Sequence, residues 1–455
     1  MILLQVSAPL LALALAWLAI GRWAPGLGDR WERIVLAPLF ALGFGSVLFF
    51  WWRVVGLSSP AFAALWLAAA LALTAFPAAR GTIAPTLGQT DRLAVAVFVA
   101  ALALSLLLCV PRLLQQPLGE YDAVAIWNVR ALTIWRAEEP LGPLFARLVG
   151  SHAHPDYPLL LPAGLAASFS LAGGDNPVTP QAVSVILLLA TAGSIWLGLR
   201  RLHAGPWAPL AATLFLLTPE VLTWGPAQCA DLLVAYLLVL AATCLALRLG
   251  SGPRPPAWLG GLCLSLLPWA KNEGLLLAAA LGGLWMLVAA AGRPPLRKEL
   301  PVLALGAAPG VVTLVAFKVL WSPHAELPDF VAGALQRATQ APRWHTVASA
   351  FWSEWNPVSG HAEWGLVWPV VLATGLLGWA ATRRAGPDRL FLRGAVAGGL
   401  VLCFGVYVGT PADLRWHLDT SLDRLLLQLL PLTLIWAYAE LPGALGVRSP
   451  IDGEE

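Results

Sequence analysis

The sequence predicts an all-α, polytopic integral membrane protein of about 13 transmembrane helices, and three observations predict it. Of its 455 residues, 58% are hydrophobic and only 12% charged, where a soluble domain carries about 25% charged residues. Mean hydropathy over the whole chain is +0.74, so the apolar excess is not confined to one anchor. Apolar runs of about 20 residues recur from end to end, parted by short turns that hold most of the basic residues.

Taken in order, the runs fall at 2–20, 34–56, 60–77, 92–110, 180–199, 209–225, 231–248, 257–270, 274–291, 300–320, 364–381, 391–409 and 424–441. The first has no basic residue before it and Arg22, Arg30 and Arg33 after it. A cleaved signal peptide needs the opposite order, so this run reads as a retained span with its N-terminus outside. The run at 257–270 is short, and the polar break AKNEG parts it from the next. The segment YPLLLPAGLAASFSLAGG, from Tyr157, is apolar but short and broken by proline. Crossing, re-entry and interfacial placement all stay open for it.

Basic turns occur at Arg80/Arg92, Arg200/Arg201, Arg248/Arg254, Arg293/Arg297/Lys298 and Arg383/Arg384/Arg389/Arg393. All share one side if 157–172 does not cross, and the positive-inside rule makes that side cytoplasmic. The other side then collects the loops 111–179, 321–363 and 410–423, the turn AQCAD and the break AKNEG. It also collects six of the seven histidines: His152, His154, His324, His345, His361 and His417. Unusual polar residues thus gather on one face. Within the 321–363 loop, TVASAFWSEW predicts a short amphipathic helix, because Val347, Phe351 and Trp355 recur at helical spacing.

Some classes of function are excluded. The net charge of +3 is small and its basic residues sit in short turns, so nucleic acid is not an expected partner. Cys109, Cys229, Cys244, Cys263 and Cys403 lie in or beside apolar runs. Their spacing suits neither zinc nor a disulfide framework, and small buried hydrophobes explain them. Basic residues are nearly all arginine, with three lysines (Lys271, Lys298, Lys318), the usage of a GC-rich bacterial source.

Five groups could carry chemistry. Glu120 and Asp122, in GEYDAVAIWNVRA, follow a span end, where a carboxylate meets both water and a protein cavity and can serve as a general base. A solvated loop acid is the plain alternative. In AKNEG, Lys271, Asn272 and Glu273 interrupt apolar sequence, as a polar hairpin or as site residues. Asp231 opens a span, where an acid can cap the helix and favour its positive end. In DLRWHLDTSLDRLLLQLLP, Arg415, His417 and Arg424 stand at the mouth of the last span, as phosphate ligands or as anchors paired to Asp413, Asp419 and Asp423. His152, His154 and Asp156 in SHAHPDYP are the candidate ligands for a divalent metal, although HxH is a loose pattern that local hydrogen bonding explains better. The 23 tryptophans fit interfacial belts. Trp321, Trp344, Trp352, Trp355 and Trp364 gather at one loop, where stacking on a sugar is the rarer alternative to anchoring.

The segments YDAVAIWNVRA, HPDYPLLLP, CADLLVAYLL, AKNEG and DLRWHLDTSLDRLLLQLLP, in that order, resemble bacterial GT-C-fold membrane glycosyltransferases. The likeness is to the protein mannosyltransferase and aminoarabinose transferase type, which use polyprenyl-phosphate-linked sugars. It covers about residues 92–441. The chain then divides into N-terminal membrane helices over 1–91, with no assigned role, a GT-C-like catalytic core over 92–441 and a cytoplasmic tail over 442–455. The resemblance implies a catalytic carboxylate at Asp122. Many relatives carry two adjacent acids there, and the Glu-Tyr-Asp of this chain leaves Glu120 without a defined part. It also implies a polar residue near Asp231, with Asn272, Glu273 and Tyr157 as further site candidates, and a donor-phosphate site at Arg415, His417 and Arg424, helped by Lys271.

The expected activity is inverting transfer of a sugar from a lipid-phosphate donor to a glycan, lipid or protein acceptor. It would occur on the periplasmic or exterior face of a bacterial inner membrane, among membrane lipids. A transporter or flippase of a lipid-linked saccharide is the alternative, as is a polysaccharide ligase or polymerase. Transporters tend to place polar sites at broken helices near the midplane, often with internal repeats. Here the polar residues lie at one edge and no repeat is visible.

Overall fold

The computed structural model describes residues 2–23, 30–75, 92–138, 140–141, 154, 156–292, 296–322, 331–358, 362–381 and 385–444. Arg80, His152, Arg293, His324, His361, Arg383, Arg384 and the tail from 445 lie outside the described residues.

Among the described residues all regular structure is helical. The helices are α1 (Ile2–Trp23), α2 (Arg30–Pro38), α3 (Gly45–Val54), α4 (Ser59–Ala75), α5 (Arg92–Gln115), α6 (Val129–Arg136), α7 (Leu160–Ala172), α8 (Val178–Arg201), α9 (Ala208–Leu217) and α10 (Pro219–Trp224). There follow α11 (Asp231–Leu249), α12 (Ala257–Ala270), α13 (Asn272–Gly292), α14 (Leu296–Ala316), α15 (Ala334–Ala338), α16 (Ala341–Trp355), α17 (Val367–Ala381), α18 (Pro387–Gly409) and α19 (Leu414–Ala444).

Eight helical stretches among the described residues are long and apolar enough to cross a membrane: Trp31–Val54, Arg92–Gln115, Val178–Arg201, Asp231–Leu249, Asn272–Ala291, Arg297–Trp321, Pro387–Gly409 and Leu414–Pro442. The chain is a helical, multi-pass membrane protein. Each of the eight falls on one of the thirteen expected runs. The other five runs lie on α1, α4, α9, α12 and α17, where the apolar stretches are Ala8–Gly21, Ser59–Ala69, Gly205–Leu217, Ala257–Ala270 and Val367–Ala381. At 1.5 Å per residue, the 14 residues of α12 extend only about 21 Å, against a hydrocarbon core of about 30 Å. The run at 209–225 is shortened for a plain reason. Pro219 pushes Thr218 to extended backbone, which ends α9 and starts α10. The ambiguous segment becomes α7, thirteen residues buried along almost their whole length.

At the centre stands α11, which buries nearly every side chain against α8, α12, α18 and α19. The tightest crossing is between α12 and α14. A Cβ on Gly306 would sit 2.0 Å from the Trp258 carbonyl oxygen, and one on Gly261 would sit 1.9 Å from that of Leu303. Small residues let the two backbones touch, the usual device where lipid supplies no hydrophobic drive for helix association. Long apolar side chains such as Leu93, Val97, Leu107, Leu305 and Val319 point outward from α5, α14 and the turn after α14, as lipid-facing residues do.

At the end of α11 away from Asp231, buried carboxylates meet the basic turns. Glu299 accepts from Arg248 Nε at 2.5 Å. Glu440 is gripped by Arg393 through two bonds of 2.8 and 2.9 Å, and Glu32 pairs with Arg201. The predicted loop helix forms as α16, with Val347 and Phe351 buried on one stripe.

Candidate functional site

At the opposite end of α11 the chain brings three distant segments together around Asp231 and Arg424. The first is the loop after α5. Gly119 turns it with φ +82°, a left-handed conformation that suits glycine. A Cβ there would also meet the Ala227 carbonyl at 2.6 Å. The backbone N–H of Glu120 donates to that same carbonyl at 3.1 Å. Asn128 donates to the Leu118 carbonyl at 3.0 Å and to Gln228 at 2.9 Å. Between Asp122 and Val129 the backbone widens into a π-helical turn, Ala123–Asn128, a feature frequent at functional sites. Asp122 is thereby aimed toward the start of α11.

Asp231 is the first residue of α11 and is 1% exposed. Its side chain does not cap the helix. It collects four donors instead. Oδ1 accepts from Lys271 Nζ at 3.0 Å and from Gln428 Nε2 at 2.8 Å. Oδ2 accepts from Arg424 Nε at 3.0 Å and Nη2 at 2.8 Å. The remaining Arg424 nitrogen, Nη1, lies 2.7 Å from Asp122 Oδ2. Lys271 also pairs with Glu273 at 3.1 Å. Arg424 thus bridges the first large loop and α11, and Lys271 extends the chain of ion pairs into the break between α12 and α13. Asp231 and Lys271 are buried, whereas the side chains of Asp122 and Glu273 are about one quarter exposed. The two outer acids form the mouth of the site and the buried pair its floor. Three carboxylates against two cations leave the group net negative.

Lys271 stands in extended backbone between the two helices. Burial disfavours its charge, but the Asp231 and Glu273 carboxylates outweigh that and hold its ammonium above the usual lysine range. The Arg424 guanidinium lies over the Trp224 ring at 5.0 Å, within cation–π range. The indole N–H of Trp224 is shared by two carboxylates, Glu220 at 2.6 Å and Asp423 at 2.9 Å. Burial first, and then the adjacent Asp423, push the Glu220 carboxyl up to about 8.

The other candidates lie as follows. Asn272 is turned away from Lys271. It donates to Asp156 Oδ2 at 3.0 Å and accepts from Lys318 Nζ at 2.9 Å, and Lys318 also pairs with Asp156 at 3.1 Å. His154 stacks on Tyr157 at 4.5 Å, and Tyr157 stacks on Trp127. Arg130 ties this corner down by donating to the carbonyls of His154 and Tyr157. Glu120 lies 4.0 Å from Arg112. Arg415 lines a separate cavity. His417 shares a hydrogen bond with Thr410 at 2.8 Å and packs edge-on to Tyr407. The site therefore joins Asp122, Asp231, Lys271, Glu273 and Arg424. It does not gather Arg415 or His417 beside Arg424. Among the described residues no group of three or more histidine, cysteine, aspartate and glutamate side chains is arranged to hold a metal.

Gln428, Trp224 and Glu220 belong to the constellation and were not singled out by sequence. Gln428 had a signal, as one amide in the apolar run LLLQLL. Trp224 had none among 23 tryptophans. No protein-family model, curated protein or solved structure matches this chain.

Proposed function

We propose that the chain is a membrane glycosyltransferase of GT-C type that moves a sugar from a polyprenyl-phosphate donor to an acceptor, with inversion at the anomeric carbon. The observation that carries this reading is the 2.7 Å contact between Asp122 and Arg424. It couples the acid expected to activate the acceptor with the cation expected to take the donor phosphate. The core would span 92–441. The site face would be the periplasmic or exterior face of a bacterial inner membrane, and the shorter helices would complete a thirteen-span topology.

The ion pairs suggest how the reaction would start. Arg424 occupies Asp122. A lipid phosphate entering the site would compete for the Arg424 fork, which suits phosphate oxygens in bidentate fashion. Asp122 would then be released to accept the acceptor's proton as that nucleophile attacks the anomeric carbon. The bond to the lipid phosphate breaks on the opposite face of the sugar, and Arg424 and Lys271 stabilise the charge that develops on the leaving oxygen. Asp231 would hold both cations in place while this exchange occurs.

The test is turnover of radiolabelled polyprenyl-phosphate sugars by protein in nanodiscs, comparing wild type with Asp122→Asn. Transfer or release that vanishes in a variant of unchanged yield and monodispersity supports the reading. Equal turnover in the variant rejects Asp122 as the base. Absence of turnover with every donor, with donor movement across the bilayer instead, would favour a flippase.

A further inference from the structure

A second feature on the same face is not used by the ion-pair network. A cavity of about 690 Å³ opens between α16 and the first turns of α19. That volume falls within the roughly 300–1,000 Å³ of small-molecule sites. Its wall carries Glu354, Glu363, Asp419 and Asp423 as carboxylates, Arg415 as a cation, the His345 imidazole and Ser353 among three hydroxyl side chains; Glu354 also accepts from the Trp364 indole. Asp423 also accepts from Trp224, whose ring supports Arg424. One indole therefore separates the cavity from the Arg424 group.

The lining chemistry narrows the ligand. Four carboxylates outnumber Arg415 and His345 together and repel an anion, so this is not a second phosphate site. Carboxylates only accept hydrogen bonds, guanidinium only donates, and serine and threonine hydroxyls do both. A ligand that satisfies all three must both donate and accept at many points. An ammonium only donates. Neutral hydroxyl groups do both, and bonds from hydroxyl to carboxylate are short and strong.

We infer that this cavity is a binding subsite for a neutral, polyhydroxylated ligand, the saccharide portion of an acceptor. The word acceptor rests on the reading above, but binding of the sugar does not. Bound there, a saccharide would lie on the far side of the Trp224 indole from Arg424, so the acceptor would be a glycan rather than a peptide hydroxyl.

The test uses full-length protein in nanodiscs, prepared without glycoside detergents. Binding of maltose, cellobiose and mannobiose is measured by saturation-transfer NMR, with glucosamine and glucose 1-phosphate as charged comparisons. Ser353→Trp, which fills the cavity, and Asp419→Asn are the variants, and neither touches the Arg424 group. The expected result is saturable binding of at least one neutral disaccharide, lost in Ser353→Trp and weakened at least tenfold in Asp419→Asn. No disaccharide binding, binding unchanged by Ser353→Trp, or preference for glucosamine or the sugar phosphate would overturn the inference. Disaccharide binding that Ser353→Trp abolishes, in a protein with no donor turnover, would uphold the subsite while rejecting the transferase.

Discussion

Asp231 and Arg424 meet through two hydrogen bonds on one carboxylate oxygen, at 3.0 and 2.8 Å, with Asp231 almost fully buried. Removing one partner of a buried ion pair leaves an uncompensated charge and costs about 3–5 kcal/mol. Asp231→Asn would leave Lys271 with only Glu273 and Arg424 with only Asp122, both of them partly exposed acids. The expected outcome is a marked fall in thermal midpoint and in yield. Adding Lys271→Met should recover part of that loss, read as a coupling term in a double-mutant cycle of melting temperatures. Strictly additive effects would show that the two side chains do not share the load.

Glu220 makes stability depend on pH. Its carboxyl is pushed up to about 8 by burial and by Asp423, against an ordinary value of 4.5. The folded protein therefore holds a proton that the unfolded chain has released over that interval. Its contribution is fully present below about pH 4.5 and is lost as pH rises through about 8. Melting temperature should fall between pH 5 and 9, and Glu220→Gln should flatten that slope while keeping an acceptor for Trp224. A slope unchanged in the variant would assign the dependence to another group.

Much of the arrangement was legible because charge inside apolar sequence is costly, so each ionisable residue there needs a partner. Asp122, Asp231, Lys271 and Arg424 stood out for that reason, and they do meet. Their pairing was not legible, since nothing in the chain says that residues 122 and 424 are neighbours. Helical phase does explain Arg415. At about 100° per residue, nine residues turn it to the opposite face of α19 from Arg424. His417 shares the Arg424 stripe but lies two turns further out, where Thr410 and Tyr407 take it. Hydropathy located the long helices and ran across the break at Thr218 that divides the expected run 209–225. It records apolar character and not the proline and polar breaks that end a helix early.

The contact of α12 with α14 gives a packing prediction. Gly306→Ala places a methyl 2.0 Å from the Trp258 carbonyl, where backbone must shift. Overpacking of this kind costs about 1–3 kcal/mol. Gly283→Ala is the matched control, since a Cβ there meets nothing within 4 Å. Folded yield by fluorescence-detected size exclusion should drop in the first variant and hold in the second. Equal yields would mean that the two helices can separate without loss.

Arg424→Lys separates charge from geometry. Arginine reaches Asp122 and Asp231 together because its guanidinium is a planar fork, with Nη1 on one acid and Nε and Nη2 on the other. Lysine keeps the charge but has one nitrogen, which would settle on the buried Asp231 and leave Asp122 without its partner. If Arg424 takes the donor phosphate, the variant should retain most of its fold, because Asp231 stays neutralised. It should lose transfer by about 10²-fold, the scale of removing one electrostatic stabiliser from a transition state. The split between constants adds a second check. Loss of leaving-group stabilisation lowers kcat, whereas loss of donor capture alone raises KM. A variant with wild-type kcat and raised KM would move Arg424 from the chemistry to binding, and leave Lys271 as the cation facing the departing phosphate.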